Sequence, residues 1–465
     1  MKRPNVLFIY TDQQRWDALG ANGNPEIHTP NLDRLAAEGV NLDHYFVQNP
    51  ICMPSRISFL SGRYPSSLGI THMAVPVPED TVILPKLLRN YGYVTGNIGK
   101  LHFLPHSNRD HREIHPDYGF DHLEISDEPG CYEDAYRAWV RMKAPEELEH
   151  ISLGIPPAAE DWNRIMAVED HITHPEREPK RAAAFPGRED VTHAAFVAEQ
   201  TEQFIESHQH ESWMCIAGFY SPHTPWVAPQ RFLDLYDPDQ LSVPNYPPHL
   251  ESQRSDSYFS DRELRSVKQG YYAMVSEVDE YVGKLLDRLD ALGLSENTIV
   301  VFTSDHGEYL GEHLRYQKGY PGEDCISRVP CIIRWPAGIQ KPGRVFSGIT
   351  EAVDILPTVL ECCGIPVPAS LQGKSLRPLL YNECFAGKEE ALMEFKGWKN
   401  IRTKDYRYVC EENGRESLYY LPNDPMQYDN LADHPAHQDA LYDMRKRMLL
   451  KVLQVEQPLQ RTWVY

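Results

Sequence analysis

The sequence has no CxxC pair, no internal repeat, no low-complexity tract and no apolar run approaching a membrane span. The first apolar stretch, residues 6–10, is too short for a signal-peptide core and no cleavage site follows it. Cysteines number nine, an odd count scattered from Cys52 to Cys410, which excludes a regular disulfide framework. Positive charge is also scarce, with 46 Lys and Arg against 67 Asp and Glu and a net charge of −21. That balance excludes a general nucleic-acid-binding surface and repels long polyanions unless a local basic pocket overrides it. The chain therefore reads as soluble and cytoplasmic, with neither a nucleic acid nor a membrane as partner.

What is present is the material of a large packed core. The 465 residues are 41 % apolar and 11 % aromatic, and the length corresponds to about three domain-sized units or one large α/β core. Residues 6–10 form a continuous apolar run, as in a strand buried on both faces. HTPNLDRLAAEG follows, with Thr29 as N-cap, Pro30 at the first helical position and Gly39 as stop. Pro54 suits a first helical turn, which places Cys52 at a helix N-terminus. Further helices are expected over 81–90, 197–207 and 262–292. The last carries Val275, Val278, Val282, Leu285, Leu286, Leu289 and Leu292 on one side and Gly293 at its end. Strand-like runs lie at 92–102, 213–220, 298–303 and in VPCIIRWP. This alternation predicts an α/β fold, a large and mostly parallel sheet sandwiched by helices.

Two regions differ in texture. Residues 105–190 are rich in His, Pro, Glu and Asp and weakly periodic, as in an insertion or lid over the core. From about residue 390, Tyr- and Trp-rich runs read as antiparallel strands, followed by a helix over about 436–454. The expected division is a catalytic unit over 1–385 and a smaller C-terminal α+β subdomain over 386–465. The terminal RTWVY offers a surface on which a partner subunit of a homo-oligomer could pack.

Two strand ends carry acids, Asp12 with Gln13 and Asp305 with His306. Ligands gather at the carboxyl ends of strands in open α/β sheets. Any one such Asp is more often a cap or turn residue; two of them in one chain point to a divalent cation. The oxygen-rich donor set suits Ca²⁺, Mg²⁺ or Mn²⁺, and the imidazole keeps Mn²⁺ in play beside Ca²⁺. Arg56, Lys100, His102, His223 and Lys318 recur near the same strand ends. Singly each is ordinary; together with a metal they make a cationic pocket for a small oxyanion. The N-terminal helix position would add its dipole to Cys52 and lower the thiol pKa. The residues thus point to a metal-dependent hydrolase of an oxyanion ester, with Cys52 central as core filling, metal ligand, redox group or nucleophile.

The motifs resemble a known family. Cys52-Met53-Pro54-Ser55-Arg56, with Leu60, Gly62 and Arg63, is similar to the CxPSRxxxLxGR signature of the type I sulfatases of the alkaline phosphatase superfamily. GYVTGNIGKLH at 92–102 resembles the second family signature, GYxTxxxGKxH. PNVLFIYTDQ, PHTP at 222–225, SDHGE at 304–308 and Lys318 sit where that family has counterparts.

The resemblance implies an alkaline phosphatase-like fold and a sulfuric ester hydrolase whose Cys52 is converted by a maturation enzyme to Cα-formylglycine. One hydroxyl of the hydrated aldehyde attacks sulfur and displaces the alcohol. The second loses its proton and expels sulfate. It further implies that Asp12, Gln13, Asp305, His306 and modified Cys52 hold one divalent cation, Ca²⁺ first, Mn²⁺ or Mg²⁺ as alternatives. Arg56 would steady the hydrated aldehyde, Lys100 and Lys318 clamp sulfate oxygens, His102 drive collapse of the diol, and His223 protonate the leaving alcohol. The expected substrate is a small carbohydrate or aryl sulfate.

The pairing of Asp12-Gln13 with Asp305-His306 also resembles the phosphonate monoester hydrolases, relatives that act on phosphonate monoesters and phosphodiesters. Those replace the Lys-x-His of the second signature by uncharged hydroxyl residues, whereas Lys100 and His102 are retained here. The sulfatase reading is therefore preferred. A third reading is an anion-binding protein without catalysis, its Cys52 left as a thiol. Substrate-facing residues are expected in 105–190 and near 226–260, with Tyr118, His122, Tyr132 and Trp139 as pocket-lining candidates.

Overall fold

Continuous apolar strands need cover on both faces, and that need decides the architecture. A computed structural model describes residues 3–105, 113–153, 179–255 and 258–456. Among the described residues the strands are β1 (Asn5–Thr11), β2 (Val40–Phe46), β3 (Val94–Gly99), β4 (His122–Ile125), β5 (Ala183–Ala184), β6 (Trp213–Gly218), β7 (Val227–Ala228), β8 (Thr298–Ser304), β9 (Cys331–Arg334), β10 (Arg344–Glu351), β11 (Glu390–Phe395), β12 (Trp398–Thr403), β13 (Tyr406–Glu411) and β14 (Glu416–Tyr420). Eight of them form one sheet in the order β10-β2-β9-β8-β1-β6-β3-β4. Only β9 runs antiparallel to its neighbours. Along central β1, Val6, Phe8 and Tyr10 enter one core while Leu7 and Ile9 enter the other.

The long helix Asp261–Ala291 covers one face. Its start is fixed by a capping box between Ser260 and Glu263, and its end by Gly293 in the left-handed region at φ 67°. It also supplies the cap that Thr29 was expected to give the helix Pro30–Ala37. The Thr29 side chain turns instead to Gly20 N and Asp33. Asp279 of the long helix accepts the Leu32 N–H at 2.7 Å and the Asn31 N–H at 3.2 Å. A carboxylate brought in by tertiary packing has replaced the local cap.

Other expectations shift at their boundaries. The helix expected over 81–90 begins only at Leu84. Strands β2 and β10 were not anticipated: VNLDHYF mixes polar with apolar residues, and β10 alternates between exposed and half-buried positions over its first half, as befits a sheet edge. β11–β14 form the expected antiparallel sheet, with the helix Gln438–Val455 packed on it. Within residues 105–190 lie β4 and the helix Ala135–Lys143. Residues 106–112 and 154–178, and the RTWVY tail, lie outside the described residues. No helix among the described residues is long and apolar enough to cross a membrane.

The sheet closes tightest where it must deliver side chains. Gly99 and Gly218 face each other at the ends of β3 and β6, and the Lys100 N–H donates to Gly218 O at 2.8 Å. A Cβ on Gly218 would lie 2.4 Å from Lys100 O and 2.8 Å from Lys100 N. Backbone cannot yield there without moving Lys100. Gly218→Ala is therefore expected to destabilise the protein by about 1–3 kcal/mol, read by chemical denaturation. An unchanged midpoint would mean that the strand ends are looser than this packing implies.

Candidate active site

The four adjacent parallel strands β8, β1, β6 and β3 end side by side. The residues that follow them converge: Asp305 and His306 after β8, Asp12 and Gln13 after β1, Lys100 after β3, and His223 in the segment beyond β6. The helix Cys52–Ser61 starts at the same place, its preceding residue Ile51 still extended, and every residue of the helix is buried. Cys52 is its first residue, as the position of Pro54 predicted.

Cys52 Sγ lies 2.7 Å from Lys318 Nζ, 3.2 Å from His306 Nε2 and 3.9 Å from Asp12 Oδ1. Lys318 Nζ also donates to His223 Nε2 at 3.1 Å. Arg56 binds both acids, with Nε 2.7 Å from Asp305 Oδ2 and Nη2 3.3 Å from Asp12 Oδ2, and its Nη1 donates to Lys100 O at 3.0 Å. Lys100 Nζ sits 2.9 Å from Asp12 Oδ2. Two aromatic faces complete the cradle, Tyr10 beneath Arg56 at 4.8 Å and Tyr220 beneath Lys100 at 4.7 Å. Neither tyrosine was singled out in the sequence, although each ends a strand-like run, 6–10 and 213–220.

Burial alone would raise the Asp12 pKa, but Lys100, His223 and Lys318 hold it well below the usual carboxylate range. The lysines stay charged: burial opposes this, yet Asp12 beside Lys100, and Cys52 and Asp12 beside Lys318, push both above the ordinary value. The expectation of a depressed thiol pKa fails. Burial and the nearby Asp12 push the Cys52 thiol up to about 12, and Lys318 offsets only part of that. A helix N-terminus and the two ammonium groups of Lys318 and Lys100 do not outweigh complete desolvation beside two carboxylates. Burial lowers His306 to about 4. Burial and the Lys318 charge bring His223 well below its ordinary value.

The imidazole tautomers follow from partners that can only accept. His306 Nδ1 is 2.8 Å from Gly307 O and His223 Nδ1 is 2.7 Å from Thr224 O, so each Nδ1 carries the hydrogen. His306 Nε2 then offers a lone pair to the space it shares with Asp12 Oδ1 and Asp305 Oδ1, each 3.6 Å away. Donor atoms of Asp12, Cys52, Asp305 and His306 all lie within 4.8 Å of one another. Gln13 stands at φ 71° with its N–H 3.1 Å from Asp305 Oδ1. Its Nε2 is taken by Glu308, while its Oε1 is buried with no hydrogen-bond partner. Carboxylate oxygens, an orphaned amide oxygen and one neutral imidazole fit a hard divalent cation.

His102 is buried two residues past Lys100, at φ 55°, its N–H donating to Asp127 Oδ1 at 2.8 Å. The pocket-lining candidates mostly lie elsewhere. Tyr118 packs edge-on against Phe103 and donates to Val77 O, and Trp139 is core, against Tyr136 and Phe196. His122 begins β4 at the amino-terminal end of the sheet, against His208. Tyr132 lines a cavity of about 340 Å³ together with Asp127.

Comparison with known proteins matches the sulfatase family profile to residues 4–365, and a profile described as N-sulphoglucosamine sulphohydrolase, C-terminal, to residues 311–454. The chain is 30 % identical to an ulvan-active sulfatase of Formosa agariphila, over 93 % of this chain and 78 % of that protein. It is 28 % identical to an arylsulfatase of Clostridium perfringens, over 97 % of this chain and 95 % of that protein. A phosphonate monoester hydrolase of Agrobacterium radiobacter shares the fold with a TM-score of 0.82 at 23 % identity, covering 100 % of this chain and 98 % of that one.

Arg56 is the cation that pairs both buried acids, so Arg56→Met should destabilise the protein by about 3–5 kcal/mol, the usual consequence of stripping a buried carboxylate of its partner. Urea unfolding followed by circular dichroism measures this. A loss under 1 kcal/mol (~0.5, as for a surface pair) would mean that the carboxylates are held by something else.

Proposed function

This chain belongs to the sulfatase family, and from the geometry of its site we propose that it hydrolyses small carbohydrate or aryl sulfate esters, releasing inorganic sulfate and an alcohol. The observation that carries this reading is the unbroken chain Cys52–Lys318–His223: a nucleophile position, an anion clamp and a proton donor within 3.1 Å steps.

In this reading Cys52 is matured to formylglycine, and its Sγ marks the position of a diol oxygen. That diol supplies one hydroxyl to form a bond to sulfur as the S–O bond to the alcohol breaks, and a second whose deprotonation expels sulfate and restores the aldehyde. A divalent cation, Ca²⁺ in the first instance and Mn²⁺ or Mg²⁺ as alternatives, would be held by Asp12, Gln13, Asp305, His306 and modified Cys52, and would supply Lewis-acid stabilisation of oxyanion charge. Arg56 fixes Asp12 and Asp305 and thereby the ligand oxygens. Lys100 and Lys318 bind sulfate oxygens, Lys318 releasing His223 as the anion enters between them. The anion's charge then favours a proton on His223 Nε2, which passes to the leaving alcohol oxygen. His102 is assigned to the diol, where it takes the proton of the second step.

A second reading, phosphonate monoester or phosphodiester hydrolysis at the same nucleophile, draws on the Asp12-Gln13 and Asp305-His306 quartet and on the shared fold. Retention of Lys100 and His102 favours sulfate, and so does the family. Parallel assays decide: an aryl sulfate should be turned over with higher kcat/KM than a phosphonate monoester, and the reverse order would transfer the assignment to the second reading.

Two further outcomes are expected. The tryptic peptide spanning residues 35–56, from protein co-produced with a maturation enzyme, should be lighter by the exchange of thiol for aldehyde. An unmodified cysteine in an active preparation would sink the formylglycine mechanism. His223→Ala should lower kcat by about 10²–10⁴-fold on poorly activated esters and much less on esters of acidic phenols, which need no protonation. Equal losses on both would remove the general-acid role.

A further inference from the structure

Glu308 ends the SDHGE segment, is fully buried, and has no part in the mechanism above. Its carboxylate is shared between the two sides of the site. Oε2 accepts from Gln13 Nε2, and Oε1 accepts from Leu310 N at 3.1 Å and from Gln317 N. All three donors belong to residues with side chains in the left-handed region, Gln13 at φ 71°, Leu310 at 46° and Gln317 at 64°. That conformation is disfavoured for each of them. One carboxylate thus joins two left-handed backbone positions to the side-chain amide of a third left-handed residue, and the residue after Gln317 is Lys318, whose Nζ contacts Cys52.

The consequence for Gln13 is chemical. Burial lifts Glu308 to about 7 while the Leu310 and Gln317 N–H groups favour its ionised form; as a carboxylate it can only accept, so the amide end facing it is NH₂. The amide is planar, so Oε1 faces away from Glu308, where it is buried and without a hydrogen-bond partner. The Gln13 backbone is held by other groups, its N–H by Asp305 at 3.1 Å and its carbonyl by the Tyr271 hydroxyl at 2.8 Å. Backbone placement and amide orientation therefore have separate causes. We propose that Glu308 is a positioning residue that turns the Gln13 carbonyl oxygen toward the cation site and, through the same carboxylate, fixes the loop that delivers Lys318. This rests on the reading of Asp12, Gln13, Asp305 and His306 as a cation site.

The proposal makes the effect of position 308 depend on position 13. With Gln13 in place, Glu308→Gln keeps an oxygen for Leu310 and Gln317 and presents NH₂ to Gln13. Two NH₂ groups cannot face each other, so the Gln13 amide turns over and offers hydrogens, which no cation accepts as ligands. With Gln13→Glu, the carboxylate at position 13 faces the carboxylate of Glu308, and Glu308→Gln now removes a repulsion and restores a hydrogen bond.

The test is a four-protein cycle: parent, Glu308→Gln, Gln13→Glu and the double variant, each full-length, matured and stripped by chelator. Ca²⁺ and Mn²⁺ are titrated by calorimetry. Glu308→Gln should weaken cation binding about 10–100-fold in the parent background, as for other residues that orient a metal ligand, and should strengthen it in the Gln13→Glu background. A purely structural role would move both backgrounds in the same direction. An effect of the same sign in both, or no effect in either, overturns the proposal. So does a double variant that fails to fold where Gln13→Glu folds. A parent that takes up neither ion overturns the cation-site reading itself, and the role of Glu308 with it. A parent that binds while both backgrounds ignore position 308 removes the role of Glu308 alone.

Discussion

The interaction on which the site depends is the buried bridge from Arg56 to Asp305 and Asp12. Two carboxylates with no solvent exposure cannot both stay ionised in a desolvated site without cations in contact. Arg56 provides the contact from the helix, and Lys100 provides it from the end of β3. The bridge also has a structural consequence. It ties the start of the helix Cys52–Ser61 to two strands of the sheet and so sets where Cys52 stands. A chain with net charge −21 thereby gathers Arg56, Lys100 and Lys318 around these strand ends.

The same helix is held at its other end. Gly62 closes it at φ 64°, and Leu60 enters the core beneath the sheet. Arg63 donates to Ser370 O at 2.9 Å, and the Tyr64 hydroxyl donates to Glu351 Oε2 at 2.6 Å. Glu351 lies at the seam with the C-terminal subdomain, where it accepts from Leu392 N at 2.9 Å and pairs with Lys388 at 2.7 Å. The motif from Cys52 to Arg63 is thus a mechanical unit as well as a chemical one. Its first half sets where Cys52 stands, and its second half locks the helix against the core and the small sheet.

Close backbone approach and unusual dihedral angles cluster around the same centre. Gly99 and Gly218 let β3 and β6 end in contact, while Gln13 and His102 adopt left-handed conformations directly after strands. Such conformations turn a side chain off the line of its strand, and surrounding hydrogen bonds hold each one. For Gln13 these come from Asp305 and Tyr271; for His102, from Asp127.

The sequence by itself determined the class of fold, the continuous strands β1, β6 and β8, the long helix and the antiparallel texture of the C-terminal region. These are written in local periodicity, and local periodicity reflects how many faces an element must bury. The residues that converge at the strand ends were legible as well, because motif spacing and strand-end position are properties of the chain. Tertiary structure alone decided four matters. It gave the cap of the helix Pro30–Ala37 to Asp279 rather than Thr29, and it packed Tyr118 against Phe103, His122 against His208 and Trp139 into the core. It also raised the Cys52 thiol pKa rather than lowering it, and it gave Glu308 its three partners. Each depends on groups distant in sequence that share a desolvated space, where burial and through-space charge outweigh anything that neighbours along the chain can specify.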